Sequence, residues 1–415
     1  MALLKAFKAL RPVSHLVSKV AAPPYDVISS EEARRKVKNN PYSFLHVDKA
    51  EIDLSQGTDI YDEKVYQKAK ENLKSMVEDG IFIKEKKDCL YIYRQTMGTH
   101  TQTGLVGCVS IDDYMSNIIK KHEETRKDKE VDRIKHVKYC NANTGPIFLT
   151  YKVMDEIDEM INDWADKNNP LYKFESDDNI GHTVWVIDDE DVVKRLVLYF
   201  EQVDILYIAD GHHRSAAAVE VGKMRRKENL DYIGSEEFNY FLGVLFPHNK
   251  LKILDYNRVV KDLNGYSFKE FLKKVEENFI IEEYKGKNGY KPDSRHKFGM
   301  YIDRKWYKLI AKEDSFDSGD LIDSLDVSIL QNNLLSPILG IKDPRKDKRI
   351  DFVGGIRGLE ELERRVNAGE SVAFSMHPTK MEEIMNISDK NMTMPPKSTW
   401  FEPKLKSGLF IHELE

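Results

Sequence analysis

The segment LYIADGHHRSAAAVE, residues 206–220, sets Asp210, Gly211, His212, His213, Arg214 and Ser215 between an apolar run and an alanine-rich stretch. The run VDILYIA reads as a strand covered on both faces, and Ser215 to Glu228 has the propensity of a helix. The turn between them falls at a strand's C-terminal end and a helix's N-terminus. Open α/β sheets bind ligands there, because the first helical N–H groups lack acceptors and favour an anion. Gly211 lets the backbone approach a ligand, Arg214 offers a planar fork to phosphate oxygens, and His212 and His213 supply donors that also carry protons. Asp210 caps the helix, orients a histidine or holds a metal. The competing reading is structural: an Asp before a helix is more often a cap, and a His in a turn an ordinary polar residue. So many titratable residues in a row favour a ligand site. A zinc site is disfavoured, because adjacent histidines on a helix point about 100° apart and no cysteine or third histidine follows at ligand spacing.

A second segment, KKHEETRKDKEVDR, holds His122, Glu123, Thr125, Arg126, Lys129 and Arg133. A helix from about Glu124 to Tyr139 puts Arg126, Lys129 and Arg133 on one face, suited to a polyphosphate. Glu123, just ahead of it, is placed to accept a proton from a hydroxyl nucleophile. The alternative is a solvated helix laced with ion pairs. Arg11 and the proline-stiffened AAPPYDVI supply Tyr25 and Asp26, either as pocket lining or as a rigid loop. MPPKSTWFEPK offers Lys397, Ser398, Thr399 and Lys404 as phosphate or acid contacts. FVGGIRG is neither a Walker A loop nor a dinucleotide fingerprint.

Several elements must position these residues. CLYIYRQT and TGLVGCVSI flank Gly98 as a hairpin, and HTVWVI, a helix over DEDVVKRLVLYFEQ and VDILYIA read as a β-α-β unit. Ser29 and Glu32 form a capping box ahead of a short helix, and Val65, Ala69, Leu73, Met76 and Val77 follow helical spacing. Past Asn249 the pattern shifts to the antiparallel pair KFGMYI and WYKLIA. The fold class is therefore α/β in the mixed α+β sense. Residues 1–250 form a phosphate-binding catalytic region, and residues 251–415 an α+β region completing or covering the site.

Composition bounds the partners. Against 70 Asp and Glu the 415 residues carry 64 Lys and Arg, a net charge of −6. No bulk positive field exists to drive nucleic-acid binding. Cys89, Cys108 and Cys140 lie far apart, which suits a reducing compartment, and no window approaches the ~20 apolar residues that span a bilayer. The expected location is cytoplasmic, with no membrane partner.

The ordered set RPVSHLVSKVAAPPYDVI, HEETRKDKEVDR, NANTGPIF, YIADGHHRSAAA and MPPKSTWFEPKLKSGLFIH resembles the bacterial and archaeal family catalogued as domain of unknown function 1015, from Phe7 to His412. Within it, DGHHR resembles the phosphate-binding turn of the ParB and sulfiredoxin superfamily, whose members include free L-serine kinases. The resemblance implies a ParB/sulfiredoxin-like core and phosphoryl transfer to the hydroxyl of L-serine, giving O-phospho-L-serine. It implies Glu123 as base, Asp210 assisting Mg²⁺ or the nucleophile, and His213 as a catalytic histidine. Gly211, His212, Arg214 and Ser215, with Arg126, Lys129 and Arg133, would bind the transferred phosphate and donor. Arg11, Tyr25, Asp26, His122, Thr125, Lys397, Ser398 and Thr399 would line the substrate pocket. The donor would be ATP, ADP or pyrophosphate. The alternatives are a ParB-like nucleotide-binding regulator that contacts DNA, disfavoured by the charge, and a Mg²⁺-dependent phosphatase or hydrolase.

Overall fold

The apolar runs before residue 251 become the strands of one mixed sheet. A computed structural model describes residues 1–415, which divide into two units, Met1–Leu251 with Pro403–Glu415, and Lys252–Glu402. The C-terminal segment, grouped by sequence with the second region, thus belongs to the first unit.

In the first unit the nine strands of this sheet are β1 (Leu4–Lys5), β2 (Leu90–Met97), β3 (His100–Ser110), β4 (Ile119–Lys120), β5 (Ile147–Tyr151), β6 (Tyr172–Glu175), β7 (Ile180–Ile187), β8 (Leu206–Asp210) and β9 (Tyr240–Pro247). Their order is β4-β8-β5-β9-β3-β2-β7-β6, with β1 against β3. The hairpin forms as expected: β2 and β3 pair antiparallel out to Met97 and His100, and Gly98 takes φ 58° in the turn. The β-α-β unit forms in split form. β7 and β8 run the same way, but four strands lie between them, because β5, β9, β3 and β2 supply the neighbours.

Packing holds this sheet in register. Leu90, Ile92, Leu105, Ile147, Leu149, Leu206, Ile208, Phe241 and Leu245 share one buried cluster. Each such side chain is worth about 1.5–3 kcal/mol relative to exposure, and a one-residue slip would turn it to the other face.

The helices of this unit include α1 (Ser30–Val37), α2 (Glu63–Glu78), α3 (Lys127–Cys140), α4 (Asp155–Lys167), α5 (Glu190–Phe200) and α6 (His212–Glu228). The Ser29–Glu32 capping box is present at the start of α1. Helix α2 buries Val65, Tyr66, Ala69, Leu73 and Met76, while Val77 is exposed. Two helix starts differ from expectation: α3 begins at Lys127 rather than Glu124, and α6 at His212 rather than Ser215. Both differences fall on the segments that carry the chemistry. No helix is long and apolar enough to cross a membrane.

The second unit is built on a six-stranded antiparallel sheet. Its order is Phe279–Tyr284, Lys305–Ala311, Lys297–Ile302, Val372–Ser375, Tyr256–Val260, Ile350–Gly354. KFGMYI and WYKLIA pair antiparallel there, as the sequence predicts.

Candidate functional site

Sheet pairing brings the two chemistry-bearing segments to one edge. Strand β4 runs parallel to β8, with Leu206 opposite Ile119 and Tyr207 opposite Lys120. Both chains therefore leave the sheet in the same direction, β8 into Asp210-Gly211-His212 and β4 into His122-Glu123. Strand β5 is antiparallel to β8, so its entry through Gly145 and Pro146 reaches the same edge.

A single residue joins β8 to α6. Gly211 has φ 99°, a left-handed conformation that costs an L-residue roughly 1–2 kcal/mol. A Cβ there would lie 3.3 Å from Arg214 Nε. No side chain caps the helix at Gly211. The two histidines and Arg214 therefore belong to the first helical turn rather than to a loop.

Asp210 is the electrostatic centre of the junction. Its Oδ1 accepts the Gly211 N–H at 2.9 Å, and its Oδ2 lies 3.0 Å from Lys404 Nζ. Burial works against its charge, but Lys404 and Arg214 outweigh it and hold the carboxyl well below the usual range. Lys404 is itself held: its carbonyl accepts from Gln95 Nε2 at 2.9 Å, and Gln102 Nε2 donates to Gln95 Oε1 at 3.1 Å. Gln95 and Gln102 are wholly buried and face each other across β2 and β3. Two buried amides in strands carry no sequence signal for such a role.

The histidines hold the two segments together. His212 Nε2 accepts the His122 N–H at 3.4 Å, and the rings meet edge to face with centroids 4.5 Å apart. Burial pushes the His122 pKa down to about 4 and that of His212 well below the ordinary value, so both rings are neutral at pH 7. His213 Nε2 accepts the Arg126 N–H at 3.0 Å. That tertiary bond explains the late start of α3, since Arg126 takes extended geometry at the N-cap (ψ 128°) to reach His213.

The expected cationic face on α3 does not form. Arg126 precedes the helix and pairs with Asp128 at 2.8 Å, while Lys129 Nζ lies over the Tyr61 ring at 5.5 Å. Arg133 is buried, ion-paired to Asp132 at 2.9 Å and stacked on Tyr25 at 3.9 Å. Each cation has its own partner, and local pairing outweighs a shared face. Thr125 Oγ1 donates to Glu130 Oε2 at 2.7 Å, bracing the first turn of α3.

Other candidates are also placed. Ser215 is fully buried with its hydroxyl on the His212 carbonyl at 2.9 Å, so it is a helix-turn bond rather than a phosphate contact. Arg11 pairs with Glu85 at 2.5 Å and with the Tyr172 hydroxyl at 3.1 Å, consistent with a structural tie. Asp26 is exposed. Lys397, Ser398 and Thr399 lie in the second unit. There the Lys397 carbonyl accepts from Arg258 at 3.0 Å, and Ser398 Oγ donates to the Pro395 carbonyl at 2.6 Å.

Residues 4–328 match the family described as protein of unknown function, DUF1015. No curated protein gives a significant match. Among solved structures, a free serine kinase variant in complex with AMP is 13% identical with a TM-score of 0.38, covering 73% of this chain and 90% of that one. A conserved hypothetical protein from Pyrococcus furiosus is 14% identical with a TM-score of 0.35, covering 72% and 92%. SbnI with a C-terminal truncation, from Staphylococcus aureus, is 10% identical with a TM-score of 0.39, covering 72% and 82%.

Proposed function

The chain belongs to the DUF1015 family, and on that footing we propose that it is a small-molecule kinase acting on the hydroxyl of free L-serine. One observation carries the reading. A left-handed glycine, an uncapped helix N-terminus, Arg214 and the Asp210–Lys404 pair share one sheet edge with the Glu123 segment.

Phosphoryl transfer asks a protein chiefly for positioning and charge neutralisation. The N–H groups opening α6 and the Arg214 guanidinium hold the transferred group. Lys404 and Arg214 offset the negative charge that builds on its oxygens. The serine oxygen forms the new bond to phosphorus, and the bond from phosphorus to the bridging oxygen of ATP, ADP or pyrophosphate breaks, releasing ADP, AMP or inorganic phosphate. Glu123 takes the hydroxyl proton. His213 keeps the Glu123–Arg126 segment against α6 through the Arg126 N–H, and His212 does the same at His122. The product is O-phospho-L-serine.

Asp210 fits one protein ligand to Mg²⁺. It stays ionised, with Oδ1 accepting from the Gly211 N–H and Oδ2 from Lys404 Nζ, and each oxygen has lone-pair capacity to spare. Sites for Mg²⁺ commonly combine one or two carboxylates with substrate phosphates, and the ion would supply charge neutralisation there.

The test is direct: purified protein with Mg²⁺, L-serine and each donor in turn, followed by mass detection of phosphoserine. Product with at least one donor supports the reading, and folded protein that yields none with any donor refutes it for serine.

A further inference from the structure

Arg214 also lines a cavity of about 20 Å³, together with Tyr25, Arg133, His136, Asn143 and Thr144. Its polar lining is incompletely satisfied. Asn143 is 5% exposed, and its Oδ1 accepts the Leu242 N–H at 3.4 Å, so its amide nitrogen is turned the other way. That Nδ2 is buried without a hydrogen-bond partner, and so is Arg214 Nε. The remaining Arg214 geometry is fixed by Nη1 on the Pro146 carbonyl at 2.6 Å. Buried donors are ordinarily satisfied, so two left open on one cavity point to an acceptor that enters it.

Charge leads to the same conclusion. Arg133 is bonded to Asp132, which also accepts from the Tyr66 hydroxyl at 2.9 Å. His136 Nε2 lies 3.2 Å from Thr144 Oγ1, which in turn donates to Asp48 at 2.9 Å. Burial works to lower the His136 pKa, but Cys140 and Asp48 carry it up to about 9, so the ring is cationic. Arg133 and His136 pair with Asp132 and Asp48, while the carboxylate that faces Arg214, Asp210, is shared with Lys404, which leaves Arg214 able to take a further anion.

Size selects the ligand. A water needs roughly 10–15 Å³ measured this way, so the cavity holds one or two oxygen-sized groups and is too small for a four-oxygen phosphate. We propose that the cavity binds a single carboxylate group, that of the amino acid whose hydroxyl is phosphorylated. The carboxylate accepts from Asn143 Nδ2 and Arg214 Nε. The identity of the acceptor rests on the kinase reading; the carboxylate site itself rests on the cavity.

Isothermal titration of the full chain with L-serine, L-alanine, ethanolamine, sodium acetate and inorganic phosphate tests this. L-serine and L-alanine should bind alike, and ethanolamine, which lacks the carboxylate, at least about tenfold more weakly. Asn143→Leu should weaken alanine binding by about tenfold to a hundredfold, the worth of one hydrogen bond to a charged group. The near-isosteric Asn143→Asp, which adds a negative charge, should abolish it, and a melting curve on each variant shows that it is folded. Alanine binding unchanged in folded Asn143→Asp, or ethanolamine binding as well as alanine, overturns the site. Phosphate binding that depends on Asn143 overturns the size argument, and acetate binding as tightly as alanine overturns the amino-acid assignment. Alanine binding that persists while L-serine yields no phosphoserine with any donor counts against the kinase reading alone. Ethanolamine phosphorylated as fast as serine counts against the carboxylate site alone.

Discussion

Asp210 Oδ2 lies 3.0 Å from Lys404 Nζ, a pair formed by residues 194 positions apart in the chain. The lysine comes from a C-terminal segment that folds back into the first unit, held by Gln95. Lys404→Met leaves Asp210 with Arg214 as its remaining strong cationic neighbour. We expect turnover to fall about a hundredfold, with a stability loss of about 1–2 kcal/mol because both side chains retain some solvent. Steady-state kinetics beside chemical denaturation checks both. Loss of stability with unchanged turnover would make the pair structural only.

Glu123 and His213 differ in what their removal should do. Glu123→Gln keeps size and hydrogen bonding but removes the base, and turnover should fall by about 10²–10⁴ with the melting temperature nearly unchanged. His213→Ala deletes the acceptor of the Arg126 N–H. It should raise KM as well as lower kcat, because the segment bearing Glu123 loses its anchor.

Gly211→Ala probes the junction itself. At φ 99° an alanine costs about 1–2 kcal/mol, and its methyl meets Arg214 Nε at 3.3 Å. A lowered melting temperature with donor binding weakened beyond the stability loss is the expected outcome, measured by thermal shift with and without nucleotide.

Stability should fall on both sides of neutral pH. Burial is the main cause that holds the His122 pKa at about 4, that of His182 at about 3, and that of His212 well below the ordinary value. His182 is stacked between Phe174 and Tyr93 at 5.0 and 5.8 Å. The unfolded chain binds those protons below about pH 6.5 and the folded chain does not, so stability drops as pH falls from 6.5 toward 4. His136 has the opposite sign. Its contribution is complete below about 6.5 and is lost as pH rises through about 9. Melting temperatures across pH 4–10 check this, and His136→Gln should flatten the alkaline limb alone.

Strands were readable where apolar residues run together, as in LYIA and the hairpin about Gly98, because burial dominates their energetics. The DGHHR junction was readable because its residue types are costly anywhere else. The start of α3 was not: local propensity favours a helix from Glu124, and the bond from Arg126 to His213, 87 residues away, overrides it. The pairing of Arg133 with Tyr25 and Asp132, and of Lys404 with Asp210, depends equally on tertiary placement. Asn143 and Gln95 look like any amide in the sequence, and only burial reveals their roles.

The most direct measurement compares wild type with Glu123→Gln for phosphoserine formed from L-serine, Mg²⁺ and the best donor, at matched melting temperature. Wild type should give stoichiometric phosphoserine, and the variant should form it at least about a hundredfold more slowly. Equal rates in the two proteins, or no phosphoserine from folded wild type with ATP, ADP or pyrophosphate, would contradict the kinase reading.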